Sequence, residues 1–188
     1  SPQLSLSPLV RGQRAALAPR EALILLTLLN HPWLLHEHLE EVSHLELANP
    51  LAQRLRQGII DAFATADHHI ADPDEQREAL ASTLARTGFS ELVQMVGRSV
   101  TTQAVWGARP KAAIEDVLAT WKQLVALHHQ YHSLLRELRD AELALGQEAT
   151  DSNYAWLQDV KTRLAAMDGT EALIEGFGAS SGRAAKGM

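Results

Sequence analysis

The feature that most constrains the fold is a set of apolar and aromatic residues, spaced alternately by three and four, that begins after Pro110. Its members are Ile114, Val117, Trp121, Leu124, His128, Tyr131, Leu135 and Leu138. This heptad spacing predicts one α-helix that runs to Leu145, because residues three and four apart share a helix face. At 1.5 Å per residue the helix is about 50 Å long, so we expect part of it to project beyond a small core.

A second helical segment follows after a polar break at residues 146–151. Two helices joined by a short connection form an antiparallel hairpin. Its inner face is expected to pair Leu135, Leu138 and Leu145 with Tyr154, Leu157 and Leu164. Trp156 lies off that face and is therefore a candidate for contact with a partner.

The residues before Pro110 predict a bundle of shorter helices. Pro19 suits the first turn of a helix that runs to Leu29 and is apolar almost all round. The cap signal Asn49-Pro50 begins another helix, and Gly88 ends a later one. Further helices are predicted over 33–44 and 90–100, and convincing strand alternation is absent. The fold class is therefore all-α: an N-terminal helical bundle, a long connecting helix and a C-terminal antiparallel helical hairpin.

Four segments follow from this pattern. We expect a flexible basic linker over 1–18, a helical bundle over 19–110, the long helix plus hairpin over 111–168, and a flexible tail over 169–188. The linker carries two arginines, two prolines and no acid. Because the chain begins without an initiator Met, we expect it to be a piece of a longer protein.

Composition excludes several functions. The net charge of −6 has the wrong sign for coating a nucleic-acid backbone. The absence of cysteine excludes disulfides, thiolate metal sites and cysteine nucleophiles. The longest largely apolar run, Ala22 to Leu29, is far shorter than the roughly 20 residues of a membrane-spanning helix.

Histidines raise the question of a metal site. His36, Glu40 and His44 are spaced by four, and His128 and His132 are spaced likewise. The zinc-protease pattern HExxH is absent and neither set indicates further ligands, so we interpret these residues as structural and expect no metal. A small metal-dependent hydrolase that uses the His36/His44 face is the minor alternative.

The stretch PREALILLTLLNHPWLL, from Pro19 to Leu35, resembles the start of the C-terminal domain of bacterial replicative DNA primase of the DnaG type. Residues 135–145, 150–167 and 169–183 resemble the end of alphaproteobacterial primases in particular. The resemblance implies a non-catalytic, cytoplasmic domain of the replisome that docks the primase on the hexameric replicative helicase. It also implies that zinc and magnesium belong to upstream domains, so no cofactor is expected here.

Under this hypothesis of a primase domain, the chain is a monomer without strong direct nucleic-acid binding, and the hairpin contacts the helicase. The candidate contact residues are Arg136, Arg139, Glu148, Asp151, Tyr154, Trp156, Leu157 and Lys161. The resemblance further implies a site for the acidic tail of single-stranded DNA-binding protein, with Arg14, Arg20 and Leu23 as the nearest matches. The alternative function is an all-α scaffolding or regulatory module that self-associates through the heptad seam.

Overall fold

The computed structural model describes residues 17–100 and 106–172, with side chains described as far as residue 168. This part of the chain is α-helical and contains no strand, so the all-α prediction is confirmed. The helices are α1 (Pro19–Asn30), α2 (Leu35–Ser43), α3 (Pro50–Ala64), α4 (Pro73–Arg86), α5 (Ser90–Ser99), α6 (Ile114–Gln147) and α7 (Asp151–Ala172). Short 3-10 helices cover Pro32–Leu34 and Trp106–Ala108.

Local capping chemistry sets where several helices begin and end. The Asn49 side chain accepts a hydrogen bond from the Leu51 N–H (2.8 Å) before α3. Asp72 caps α4 by accepting from the N–H groups of Asp74 (2.7 Å) and Glu75 (3.1 Å). After α4, Gly88 has a φ of +87°, a conformation that side chains with a Cβ rarely adopt.

The chain divides between Thr101 and Thr102 into two compact units. The core of the first unit is centred on α1, which is buried on most sides. Its largest fully buried side chains are Leu23, Ile24, Leu25, Leu28, Leu34, Leu35, Leu45, Leu55, Ile59 and Leu84. An all-round apolar helix has to be surrounded by other elements, and α1 contacts α3, α4 and α5.

One carboxylate ties the start of α1 to the start of α3. Glu21 is only 2% exposed, and its carboxylate accepts hydrogen bonds from the N–H groups of Ala48 (2.5 Å) and Asn49 (3.4 Å). Nearby, the Arg56 guanidinium donates to the carbonyl oxygen of Leu45. These bonds pair backbone groups of the loop before α3. Without a partner, a buried backbone group would lower the stability of the fold.

The second unit begins before residue 111, the position at which we expected it to begin. It includes the 3-10 helix Trp106–Ala108, which packs on the first turns of α6. A Cβ placed on Gly107 would overlap the Thr120 side chain and the Asp116 carbonyl oxygen. The backbone therefore approaches α6 as closely as only glycine permits.

The heptad seam of α6 does not continue as predicted along the whole helix. Val117, Trp121, Leu124 and His128 are buried, but Ile114 is 53% exposed. Beyond His128 the buried positions of α6 are Leu134 and Ala141, while Leu135 and Leu138 are half-buried. The buried face shifts because Trp106–Ala108 packs on the beginning of α6 and α7 packs on its end.

Two further segment boundaries differ from the expected ones. Leu17, which we placed in the flexible linker, is 7% exposed and belongs to the core. α7 continues past residue 168 to Ala172. The rest of the predicted linker and tail, 1–16 and 173–188, lies outside the described residues. None of the described helices combines the length and the apolar character that crossing a bilayer requires.

Candidate protein-interaction surface

The helices α6 and α7 lie against each other in antiparallel directions. Asn153 reaches Ala144 near the connection, and Arg163 reaches Glu137 further along both helices. The seam between them is formed by Leu134 and Ala141 of α6 and by Leu157, Val160 and Met167 of α7, all at most 7% exposed. Outward-facing residues of both helices are left exposed.

The connection between these helices is held by Asn153. Its side-chain amide donates to the carbonyl oxygens of Ala144 (3.2 Å) and Glu148 (2.8 Å), and its N–H donates to Thr150 Oγ1 (3.1 Å). Asn153 therefore takes the inner position at the start of α7 and turns its neighbour Tyr154 outward. The expected inner place of Tyr154 is wrong, because its side chain is 57% exposed.

A polar network crosses the outer side of the helix pair and is centred on Glu137. Trp156 Nε1 donates to Glu137 Oε1 (3.0 Å). Arg163 donates through Nη2 to Glu137 Oε1 (2.5 Å) and through Nη1 to Glu137 Oε2 (3.1 Å). Asp159, one turn before Arg163, accepts from its Nε (2.9 Å). This two-point contact between arginine and carboxylate restricts the orientation of both side chains and is stronger than a single hydrogen bond.

The network shifts the pKa of both of its central groups. Hydrogen bonds from Arg163 and then from Trp156 lower the pKa of Glu137 below its ordinary value, and desolvation opposes them only in part. The hydrogen bond to Glu137 raises the pKa of Arg163. Both groups stay charged at neutral pH, so the indole of Trp156 is held by a carboxylate.

A cleft of about 500 Å³ runs beside this network. Its floor includes Leu134 and Met167, and Glu137 and Arg163 line it together with Leu127, Gln130, Ser133 and Ala166. Apolar side chains next to an anchored ion pair provide both burial and orientation for a partner. Near the connection, Leu143 of α6 is 62% exposed and adds apolar area to the surface of the helix pair.

The predicted helicase-contact residues are exposed, with one exception. Arg136 and Arg139 of α6 and Lys161 of α7 are exposed, as are Glu148 and Asp151 beside the connection. Tyr154 is also exposed, and Trp156 is 37% exposed. Leu157 is not available to a partner, because it is 7% exposed and packs in the seam.

Sequence reasoning missed Glu137 and Arg163. The spacing of Trp156, Asp159 and Arg163, at i, i+3 and i+7, places these side chains on one face of α7 and was the available signal. Glu137 could not be paired with that face from sequence, because the register between the two helices depends on how the connection folds.

The predicted site for an acidic tail is not formed as expected. Arg20 is 3% exposed and Leu23 is 2% exposed, because the all-round apolar α1 is enclosed on the sides that carry them. Arg14 lies outside the described residues. The buried pair therefore does not offer the accessible basic residue beside an apolar groove that the resemblance implied.

The histidines do not converge on a common point. The His36 ring packs on Phe63, with centroids 5.0 Å apart, whereas His44 Nδ1 lies 2.8 Å from the Glu40 carbonyl oxygen. The rings of His128 and His132 are 4.5 Å apart. In the described part of the chain, no group of three or more histidine, aspartate or glutamate side chains is arranged to hold a metal ion.

Comparisons with protein-family models, with curated proteins and with solved structures found no match to the chain.

Proposed function

We propose that the helix pair α6–α7 is a docking element for another protein, and that this protein is the hexameric replicative helicase of a bacterial replisome. In this proposal the chain is the helicase-binding, C-terminal domain of a DnaG-type primase. The observation that carries it is the exposed indole of Trp156, which is held in one position by Glu137, the carboxylate that Arg163 binds at two points.

An anchored and exposed aromatic side chain is what protein interfaces use at their centres. Tryptophan and arginine are enriched among the residues that dominate binding free energy. A side chain that is already held in place loses less conformational entropy on binding than a mobile one. Leu143 and Tyr154 supply further exposed apolar area on the same two helices.

The identity of the partner rests on sequence resemblance and on the order of the elements. The primase-like stretch, Pro19–Leu35, forms α1, the following 3-10 helix and the start of α2. A set of short helices, a helix of 34 residues and a terminal antiparallel partner helix follow in the order that the resemblance implies. Catalysis and its metal ions are assigned in this proposal to regions of the parent protein upstream of the chain.

Docking the domain would hold the upstream polymerase near the unwound strand. A flexible linker of tens of residues gives an effective concentration of roughly millimolar, so modest affinity per contact is sufficient. Several copies on one hexamer would gain further from avidity.

Calorimetry with the replicative helicase tests the proposal. We expect the 188-residue chain to bind, and a chain that ends at Leu145 to lose that binding while α1–α5 keep their helical signal. Unchanged affinity after the truncation would contradict the assignment to the helix pair.

Self-association through the heptad seam is the competing function, and the structure argues against the part of the seam from Val117 to His128 as its interface. Val117, Trp121 and Leu124 are at most 2% exposed within a single chain, so they are not available to a second copy. Sedimentation is expected to give the mass of a monomer, and a stable dimer would favour the competing function.

A further inference from the structure

The first unit carries a surface cleft that the proposed function does not use. Its walls are the exposed rings of His36 and His68, the half-buried ring of Phe63 and the α4 residues around the buried Leu80. The cleft has a volume of about 210 Å³. Small-molecule sites usually exceed roughly 300 Å³, so this cleft suits a single protruding side chain better than a whole ligand.

The walls of the cleft are held in place by contacts within the chain. The ring centroids of Phe63 lie 5.0 Å from His36 and 4.9 Å from His68, in edge-to-face geometry. In the loop between α3 and α4, Asp67 Oδ1 accepts from the His69 N–H (2.9 Å). Gln76 Nε2 donates to the Ile70 carbonyl oxygen (2.7 Å) and ties the loop to α4. The site is therefore largely formed before any partner arrives.

The surroundings of the cleft are acidic. Between Arg56 and Arg77 the chain has no lysine or arginine, and it has five acids, which are Asp61, Asp67, Asp72, Asp74 and Glu75. Asp67 lines the cleft directly. Asp61 and Glu75 precede the lining residues Thr65 and Ala79 by four positions, so they lie on the same helix faces one turn away. Charge complementarity therefore favours a cationic partner.

We propose that this cleft binds a basic peptide segment of another protein. One apolar or aromatic side chain of the segment enters the cleft against Phe63 and Leu80. Lysine or arginine residues on either side of it lie against Asp67, Asp61 and Glu75. Nucleic acid does not fit the site, because its phosphates would face these carboxylates. The proposal is independent of helicase docking, since every lining residue belongs to the first unit.

The test uses the 188-residue chain and a short amidated peptide that carries one phenylalanine between two pairs of lysines. Two control peptides replace the phenylalanine by alanine or the lysines by glutamates. Calorimetry gives the dissociation constant, and nitrogen-15 NMR locates the contact. We expect amide shifts at His68 and Thr83, clearly weaker binding of the alanine peptide, and none of the glutamate peptide.

Two pairs of variants separate the apolar and the charge contributions. Ala79→Met fills the cleft and should weaken binding about tenfold or more, since it prevents burial of the phenylalanine. Ala81→Met, at an exposed position of the same helix, is the steric control. Asp67→Asn keeps an oxygen that can accept from the His69 N–H and removes the charge, so it should weaken binding about two- to fivefold at low salt. Asp140→Asn on α6 is the charge control.

Equal binding of the lysine and glutamate peptides would overturn the proposal. Amide shifts confined to the second unit would overturn it as well. If Ala79→Met lowers the helical circular dichroism signal, the Asp67→Asn result decides: weaker binding than Asp140→Asn supports the proposal, and equal binding refutes it.

Discussion

Trp156 and Glu137, nineteen positions apart in the sequence, are joined by a hydrogen bond of 3.0 Å from the indole Nε1 to Oε1 of the carboxylate. The same carboxylate holds the Arg163 guanidinium at two points. Glu137 is therefore the positioning residue of the outer surface of the helix pair. It determines the position of the exposed Trp156 side chain, and it is not part of the buried contact between α6 and α7.

Replacing Glu137 should change the position of Trp156 and leave the buried contact between α6 and α7 intact. Glu137→Ala removes the acceptor, so the indole N–H resonance of Trp156 is expected to move and broaden in nitrogen-15 NMR. Glu137→Gln keeps an amide oxygen that can accept from Nε1, so it should shift that resonance less. Far-ultraviolet circular dichroism should be unchanged in both variants, because buried apolar residues such as Leu157 and Val160 form the contact between the two helices. An indole resonance that does not respond to Glu137→Ala would contradict the network.

Acid should release Trp156 only at low pH. The pKa of Glu137 is lowered from an ordinary value of 4.5, first by Arg163 and then by Trp156. The interaction is therefore fully present above pH 4.5 and is lost as the pH falls through the lower pKa of the folded state. We expect the Trp156 indole shift to stay constant from pH 7 down to about 4.5 and to change with a midpoint below that value. A midpoint above 4.5, or the same transition in Glu137→Gln, would disprove the assignment.

Glu21 should be important for the stability of the first unit. Glu21→Ala leaves the N–H groups of Ala48 and Asn49 without their buried acceptor, which is expected to cost about 1–3 kcal/mol of unfolding free energy. Urea denaturation measures the change. The matched control is Glu37→Ala, an exposed acid in the first turn of α2, for which we expect a change within about 0.5 kcal/mol. Equal effects of the two variants would mean that the Glu21 contacts contribute nothing beyond a helix-terminus charge.

Glycine at 107 is required by close packing in the second unit. Gly107→Ala places a methyl group against Thr120 and the Asp116 carbonyl oxygen, and we expect a loss of about 1–3 kcal/mol. Gly146→Ala is the control, because a Cβ there meets nothing within 4 Å and the residue lies inside α6. That change should raise stability by about 0.4–1 kcal/mol. Urea midpoints of the two variants should therefore move in opposite directions, and a stable Gly107→Ala chain would refute the close contact.

The parts of the fold that depend on local chemistry could be predicted from the sequence. Pro19, Asn49-Pro50 and Gly88 mark helix ends through capping and backbone geometry that neighbouring residues determine. Trp121 lies on the helix face that the heptad spacing predicts, and it is 2% exposed. Helix existence is a short-range property, so these predictions did not need the tertiary structure.

The parts that depend on distant contacts could not be predicted. Tyr154 continues the helical spacing of the inner face, but Asn153 takes the inner position because its amide satisfies two carbonyl groups at the end of α6. From the sequence, Glu21 is only an acidic residue in the first turn of a helix. Its hydrogen bond with Ala48, in the loop before α3, forms only when the chain is folded. The same holds for Glu137, whose partners are 19 and 26 positions away.

The most direct test of the proposed docking function is the affinity of Trp156→Ala for the replicative helicase, measured by calorimetry against that of Leu39→Ala. Leu39, on α2, is a matched control because it is 38% exposed and Trp156 is 37% exposed. The account predicts that Trp156→Ala weakens binding about tenfold or more, the effect of removing an interface anchor, and that Leu39→Ala leaves it unchanged. Equal affinities of the two variants would contradict docking through the helix pair.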